Sequence, residues 1–423
     1  LTDHDAHSRA LRAPRQALAQ SFDAVRAHSL ALAAPLSAED QCLQSMPDAS
    51  PTKWHLAHTS WFFEAVVLKT FLPSYQPFNE QFFYLFNSYY EALGPRHPRP
   101  QRGLLSRPSQ AQVLAYRAHV DAAMRSFIAQ CDGTQWPQAE KLLVLGLHHE
   151  QQHQELILTD ILHALHCNPL LPAYQPVGTP ALHVAVATPA SQWLQFPGGT
   201  AQVGHAAQPP EEVLADFAFD NETPRHSVLL SPYQLASRLV SCGEYAQFIA
   251  DGGYRRPEFW LSDGWAMVQA QGWQAPLYWQ AQQDATGSRW QQYGLHGLQP
   301  LDAQSPVRHV SFYEAAAYAA WAGARLPTEF EWEAACGHPQ LEQMLGQAWQ
   351  WTRSSYDPYP GFKPLSGAVS EYNGKFMVGQ LVLRGSSSAT PAGHARPSYR
   401  NFFPPAARWQ FSGIRLAKDA STC

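Results

Sequence analysis

The chain has 423 residues, 45% hydrophobic and 15% charged, a globular composition too long for one ordinary domain. Acidic residues (34) outnumber basic ones (29), and no basic cluster offsets the net charge of -5, so nucleic acid is not an expected partner. No apolar run is long enough to cross a membrane, the six cysteines lack ligand spacing, and the opening Leu1-Thr2-Asp3-His4-Asp5 is not a signal peptide, so a reducing cytoplasm is the expected compartment.

Helical periodicity runs to about His166. An Ala/Leu-rich segment from Ala13 to Ala34 predicts a first amphipathic helix. Ser50 as N-cap, with Pro51 at the first helical position, predicts a second that carries His58 and runs through Trp61, Phe62 and Phe63 to about Phe71. From Phe78 to Arg107 the chain is aromatic and, after Gly94, too rich in Gly and Pro for one helix. Ser109 with Gln112 is a capping-box signature for a third helix ending near Cys131. A fourth is predicted from about Gln138 to His166. Four helices with one long connection predict a bundle, whose interior is a natural place for metal ligands.

Within the fourth helix, His148-His149-Glu150-Gln151-Gln152-His153-Gln154-Glu155 is the most informative stretch of the chain. On a helix, His149 and His153 lie one turn apart on one face, the spacing at which two imidazoles bind one ion. The segment Trp54-His55-Leu56-Ala57-His58 can supply a third ligand from the second helix. Three imidazoles leave coordination positions open, which is the mark of a reactive rather than a structural site. The same residues spell His-Glu-x-x-His, the zinc-protease signature, in which the Glu is the general base. The longer metzincin pattern needs Gly and His downstream, where this chain has Leu156 and Thr159, and the short pattern alone is weak evidence.

Between Asn168 and Pro197 prolines multiply and the periodicity stops, which predicts a linker. Beyond it, short strands are expected at Ser227–Leu230, Val382–Arg384 and Gly413–Leu416, with two helices near Cys242–Asp251 and Phe312–Ala322. That mixture is α+β with little regular structure.

The run Pro51-Thr52-Lys53-Trp54-His55-Leu56-Ala57-His58-Thr59-Ser60-Trp61-Phe62-Phe63-Glu64, taken with the histidine-rich motif, resembles the DinB-like helical domain of ergothioneine-biosynthetic sulfoxide synthases. Ser305-Pro306-Val307-Arg308-His309-Val310-Ser311, Ala324-Arg325-Leu326-Pro327-Thr328-Glu329-Phe330-Glu331-Trp332-Glu333 and the block from Glu371 to Leu416 resemble their formylglycine-generating-enzyme-type, C-type-lectin-like module. The resemblance implies an α+β architecture: a four-helix bundle carrying the metal ligands over residues 1–180, and an α+β domain over 181–423 that lines the substrate pocket. It implies a non-haem iron(II) oxidoreductase that uses O2 to join the sulfur of cysteine or γ-glutamylcysteine to the imidazole C2 of Nα-trimethylhistidine (hercynine), as a sulfoxide. By position the ligands are His58, His149 and His153, and the adjacent Tyr89 and Tyr90 steer the reaction toward the C–S bond. Asp48, Arg96 and Arg99 match the charges of a zwitterionic thiol, with Arg99 the first choice for its carboxylate. Gln152 is placed to hydrogen-bond the acceptor imidazole, and Asn401, Phe402 and Phe403 match the segment that lines the hercynine pocket, where aromatic faces suit a trimethylammonium group.

Two departures refine the expectation. The γ-glutamylcysteine branch has an acidic residue in the segment matching Asn401-Phe402-Phe403, and Phe here favours free cysteine. The stretch Arg384-Gly385-Ser386-Ser387-Ser388-Ala389-Thr390 has no thiol, so formylglycine generation is not expected. An ovothiol-type synthase using histidine and a selenium-inserting relative share the fold, and a DinB-like metal-dependent thiol transferase is the alternative from another class.

Overall fold

The computed structural model describes residues 3–175, 190–206, 216–284, 287–365, 369 and 373–420. Residues 176–189 of the expected linker lie outside them. The chain divides into two compact units: Leu1–Ala164 with Gln208–Phe219 and Pro364–Tyr372, and Leu165–Ala207 with Asp220–Lys363 and Asn373–Cys423.

The first unit is helical. It contains α1 (Asp3–Ala33), then α2 (Thr52–Phe62), which continues through a π-helical stretch at Phe63–Leu68 into the single turn α3 (Lys69–Phe71). The short α4 (Phe82–Phe86) follows, then α5 (Gln110–Gln130) and α6 (Trp136–His166). Helix α1 begins at Asp3 rather than Ala13, because the preceding residues include good helix formers such as Ala and Arg, and Pro14 falls inside it. The Ser109–Gln112 capping box is formed as expected: the Ser109 hydroxyl accepts from the Gln112 N–H at 3.3 Å, and the Gln112 side chain accepts from the Ser109 N–H at 2.9 Å.

Helix α2 differs at its start. Pro51, not Ser50, is its N-cap, and no side chain caps it. The Ser50 hydroxyl instead accepts from Arg102 Nη1 at 2.9 Å, and its N–H donates to Asp160 Oδ2 at 2.7 Å. A buried guanidinium without an acceptor costs more than an uncapped first turn, so the hydroxyl goes to the arginine. All eleven residues of α2 are buried, which is what a helix enclosed on every side requires.

Gly146 sets how closely α6 approaches α2. A Cβ there would lie 2.5 Å from Phe63 Cε1 and 3.1 Å from Phe62 Cε1. Gly146→Ala should therefore destabilise the helical unit by about 1–3 kcal/mol through overpacking, although alanine is the better helix former. A lowered midpoint of the helical unit's unfolding transition would verify this, and an unchanged or raised midpoint would refute it.

Four-helix packing is tied together by a buried ionic cluster. Arg26 of α1 donates to Asp121 Oδ1 of α5 (2.7 Å), Ser60 Oγ of α2 (2.8 Å) and Glu150 Oε2 of α6 (2.8 Å). Arg117 of α5 donates to Glu150, to Thr59 Oγ1 at 3.1 Å and to the Arg26 carbonyl at 2.9 Å. Every long helix contributes, so the cluster fixes helix register as well as separation.

The second unit is α+β, as expected. Its strands are β1 (Trp193–Phe196), β2 (Gly199–Val203), β3 (His226–Leu230), β4 (Tyr233–Ala236), β5 (Trp279–Asp284), β6 (Gly287–Gly294), β7 (Gly297–Pro300), β8 (Ala348–Ser355), β9 (Leu381–Ser386), β10 (Asn401–Phe403), β11 (Ser412–Gly413) and β12 (Ala417–Asp419). They form small sheets in the orders β1-β4-β12, β10-β9-β8-β11, β2-β3 and β5-β6-β7. Its helices are α7 (Cys242–Ala250), α8 (Ser262–Gln271), α9 (Phe312–Trp321) and α10 (Glu329–Ala335), where the sequence predicts only α7 and α9. Capping boxes start α7 (Ser241–Glu244), α9 (Ser311–Glu314) and α10 (Thr328–Glu331). The expected strand at Gly413–Leu416 is split: β11 ends at Gly413, and the carbonyls of Ile414 and Leu416 then accept from Val240 and Ala236 as the chain passes between sheets.

Candidate metal centre

Helix α6 presents His149 and His153 one turn apart, and α2 brings His58 to meet them. Among the described residues, these three form the group of His, Cys, Asp or Glu side chains that could hold an ion, with one ligand atom from each within 4.8 Å of the others. His58 Nε2 faces His149 Nε2 at 3.2 Å. Ring centroids are 4.9 Å apart for His58–His149, 4.7 Å for His58–His153 and 4.6 Å for His149–His153.

The protein fixes these rings from behind. His58 Nδ1 lies 2.6 Å from the carbonyl oxygen of Phe86, which can only accept, so Nδ1 carries the proton and Nε2 the lone pair. Trp54 and Trp61 stack on the His58 ring at 4.6 and 5.5 Å, and Phe62 covers His149 at 4.6 Å. Burial, aided by the neighbouring imidazoles, pushes the pKa of His58 and His153 well below the ordinary histidine value. Burial also lowers His149 to about 3, against a partial opposing pull from Glu150. Three neutral imidazoles with facing nitrogens are a donor set that fits a divalent cation.

Glu150 does not serve the role it has in the zinc-protease signature. Its fully buried carboxylate accepts from Ser29 Oγ at 2.6 Å and from Arg26 and Arg117. Burial alone would raise its pKa, but the two guanidiniums and the hydroxyl outweigh that and hold the carboxyl at about 2. Both oxygens are engaged in the helix-tying cluster, leaving neither as a general base for water.

Tyr90 is buried and packs on Trp61 (5.5 Å) and Phe62 (6.1 Å), the rings that cover His58 and His149. The adjacent Tyr89 accepts from Arg99 Nη1 at 2.5 Å, and the Arg96 guanidinium lies over its ring at 5.2 Å. Arg99 also donates to the Asp48 carbonyl and stands 3.9 Å from the Asp48 carboxylate. Arg96 pairs with Glu91 at 2.8 Å. Asp48, Tyr89, Arg96 and Arg99 are thus gathered in one half-exposed cluster, where solvent screening keeps each ion pair weak. Gln152 stands half-buried on α6, three residues after His149.

Asn401, Phe402 and Phe403 form β10, paired with β9. Phe402 stacks on Tyr356 at 4.0 Å and lies 5.9 Å from Phe376, and Phe403 meets Trp409 edge-on at 6.0 Å. The Asn401 side chain accepts the Phe402 N–H at 2.9 Å. These residues build an aromatic platform in the second unit.

One contributor went unrecognised in the sequence. Arg102 is buried and stacks on Trp54 at 3.4 Å, with Ser50 and Ser88 as acceptors. Desolvation first, then Arg99, lowers its pKa to about 9. The only sequence signal was the three-residue spacing of Arg96, Arg99 and Arg102. His55, the other imidazole of α2, lies outside the trio but touches it.

The chain matches the DinB superfamily over residues 21–157, and the sulfatase-modifying factor enzyme 1-like domain over 182–343 and 339–420. It is 34% identical over 323 residues to the hercynine oxygenase of Mycolicibacterium smegmatis, covering 65% of this chain and 71% of that one. Identity to the hercynine oxygenase of Mycobacterium tuberculosis is 32% over 424 residues, covering 89% of this chain and 93% of the relative. A formylglycine-generating enzyme of Thermomonospora curvata is 34% identical over 151 residues, covering 33% of this chain and 46% of its own length.

Proposed function

This chain belongs to the hercynine oxygenase family, and on that premise we propose that it is an iron(II)- and O2-dependent sulfoxide synthase joining the sulfur of cysteine to the imidazole C2 of hercynine. The observation that carries the reading is the convergence of His58, His149 and His153 as three neutral, buried imidazoles. These residues would hold the iron. When bound, the metal supplies the redox chemistry: thiol, imidazole C–H and O2 give sulfoxide and water, with two electrons from C–S bond formation and two from sulfur oxygenation. No further reductant is required.

The protein's own groups bind and orient. Arg99, backed by Arg96, is assigned to the cysteine carboxylate and Asp48 to its ammonium; their clustering beside Tyr89 supports that pairing. Gln152 is assigned to the hercynine imidazole. Asn401, Phe402 and Phe403 are assigned to the trimethylammonium group, for which the stacked aromatic faces are suited. Tyr89 and Tyr90 are assigned the proton or hydrogen bond that favours C–S coupling over oxidation of the thiol alone. The Tyr89→Phe, Tyr90→Phe double variant is expected to lose sulfoxide while still consuming thiol, read by chromatography of both products. An unchanged product ratio would remove the tyrosines from the reaction.

Mass spectrometry of products from hercynine, cysteine, iron(II) and air tests the proposal. The expected product carries both substrates plus one oxygen atom. Product only with γ-glutamylcysteine would reassign the donor, and product from histidine instead would reassign the acceptor. Thiol transfer without O2 uptake would make the chain a transferase.

A further inference from the structure

His55 was one of two imidazoles that α2 offered, and it is not in the trio. Its Nδ1 lies 2.8 Å from Nδ1 of His153, and its Nε2 lies 3.1 Å from Asp160 Oδ2. The three side chains are buried, His55 to 2%, Asp160 to 6% and His153 to 9% exposure, so water does not substitute for these contacts. The same Asp160 oxygen accepts the Ser50 N–H at 2.7 Å, which anchors the carboxylate to the start of α2.

These contacts form a directed chain. A carboxylate only accepts, so His55 donates to Asp160 from Nε2, and a singly protonated ring then leaves its Nδ1 as an acceptor. The Nδ1 of His153 facing it must then be the donor, which leaves the His153 lone pair on Nε2. His58 reaches the same state by another route, through the Phe86 carbonyl.

We propose that His55 and Asp160 are positioning residues for the ligand His153: Asp160 fixes the His55 tautomer, His55 fixes that of His153, and together they hold the His153 Nε2 lone pair in the orientation that takes the metal. The inference rests on the reading that the trio binds an ion. Outer partners of this kind hold the ring in place and raise the ligand's basicity, and their loss typically weakens metal binding by about 10–100-fold. A carboxylate–imidazole–imidazole chain places the charge one residue further out than a direct carboxylate partner would.

Anaerobic titration with Co(II), followed by its visible d–d absorption, separates positioning from mere packing. Wild-type protein is expected to bind one ion. His55→Leu is expected to raise the Kd by about 10–100-fold and shift the d–d band. His55→Gln, which can accept from His153 and donate to Asp160, should recover most of the loss. Asp160→Asn should weaken binding even if His55→Leu does not fold, as circular dichroism of the metal-free proteins would reveal. Unchanged affinity in folded His55→Leu or Asp160→Asn would overturn the inference while leaving the metal site intact, as would a His55→Gln variant no better than His55→Leu. Wild-type protein that takes up no Co(II) would overturn the metal reading and this inference with it.

Discussion

Replacing His149 with alanine is expected to abolish sulfoxide formation and reduce iron uptake to background, with the helical unit still folded. His149 is the member of the trio whose Nε2 faces His58 Nε2 at 3.2 Å, and both nitrogens belong to imidazoles that burial keeps neutral. Removing one donor from a three-donor set leaves two, and affinity for a divalent ion falls accordingly. The ring is packed against Phe62, so the truncation also leaves a small void. That cost falls on stability, whereas iron content and product report on the site, so the two can be read apart. His58→Ala and His153→Ala should behave alike. A His149→Ala protein that retained iron and product would exclude this residue as a ligand.

The second large effect is on stability. Glu150→Ala is expected to destabilise the helical unit by about 3–5 kcal/mol, because it strands Arg26 and Arg117 in the interior without their carboxylate. Glu150→Leu should be milder than a simple count of lost hydrogen bonds suggests only if Arg26 and Arg117 are replaced as well, since the penalty lies in the orphaned charges. The same cluster gives a pH signature. The folded pKa of Glu150 is about 2, below its ordinary value of 4.5. Its contribution is therefore present above about pH 4.5 and lost as pH falls toward 2. Thermal unfolding of wild type and Glu150→Ala across pH 2–6 measures both: the gap between them should narrow on acidification. Equal stability at neutral pH would contradict the account of the cluster.

That cluster also explains a limit of sequence reading. Helical spacing alone was enough to put His149 and His153 on one face, because a period of 3.6 residues depends on no partner. The same spacing also suggested a protease base in Glu150, and only tertiary packing shows both carboxylate oxygens engaged. Helical spacing likewise left open which of His55 and His58 joins the pair, and only the resemblance named His58. Both stand on a helix buried on all sides, and Phe86 and Asp160, remote in sequence, decide the direction in which each ring presents its nitrogens.

Local signals were most legible where side chains satisfy their own backbone, as in the Ser109–Gln112 capping box. Ser50 misled because Arg102, fifty-two residues away, claims its hydroxyl. The three-stranded β5-β6-β7 sheet went unread because its strands are rich in glutamine, which gives neither β-branched nor apolar alternation. Helix α10 was legible in principle, since Thr328 and Glu331 spell its capping box, but at seven residues it was too short for periodicity to register.

The most direct test of the central claim is X-ray absorption at the iron edge of protein loaded anaerobically with one equivalent of iron(II). The account predicts one iron per chain with three imidazole rings in its coordination sphere, falling to two in His58→Ala, His149→Ala or His153→Ala protein. A sphere built from oxygen donors with one imidazole or none, or a ring count unaffected by these substitutions, would contradict it.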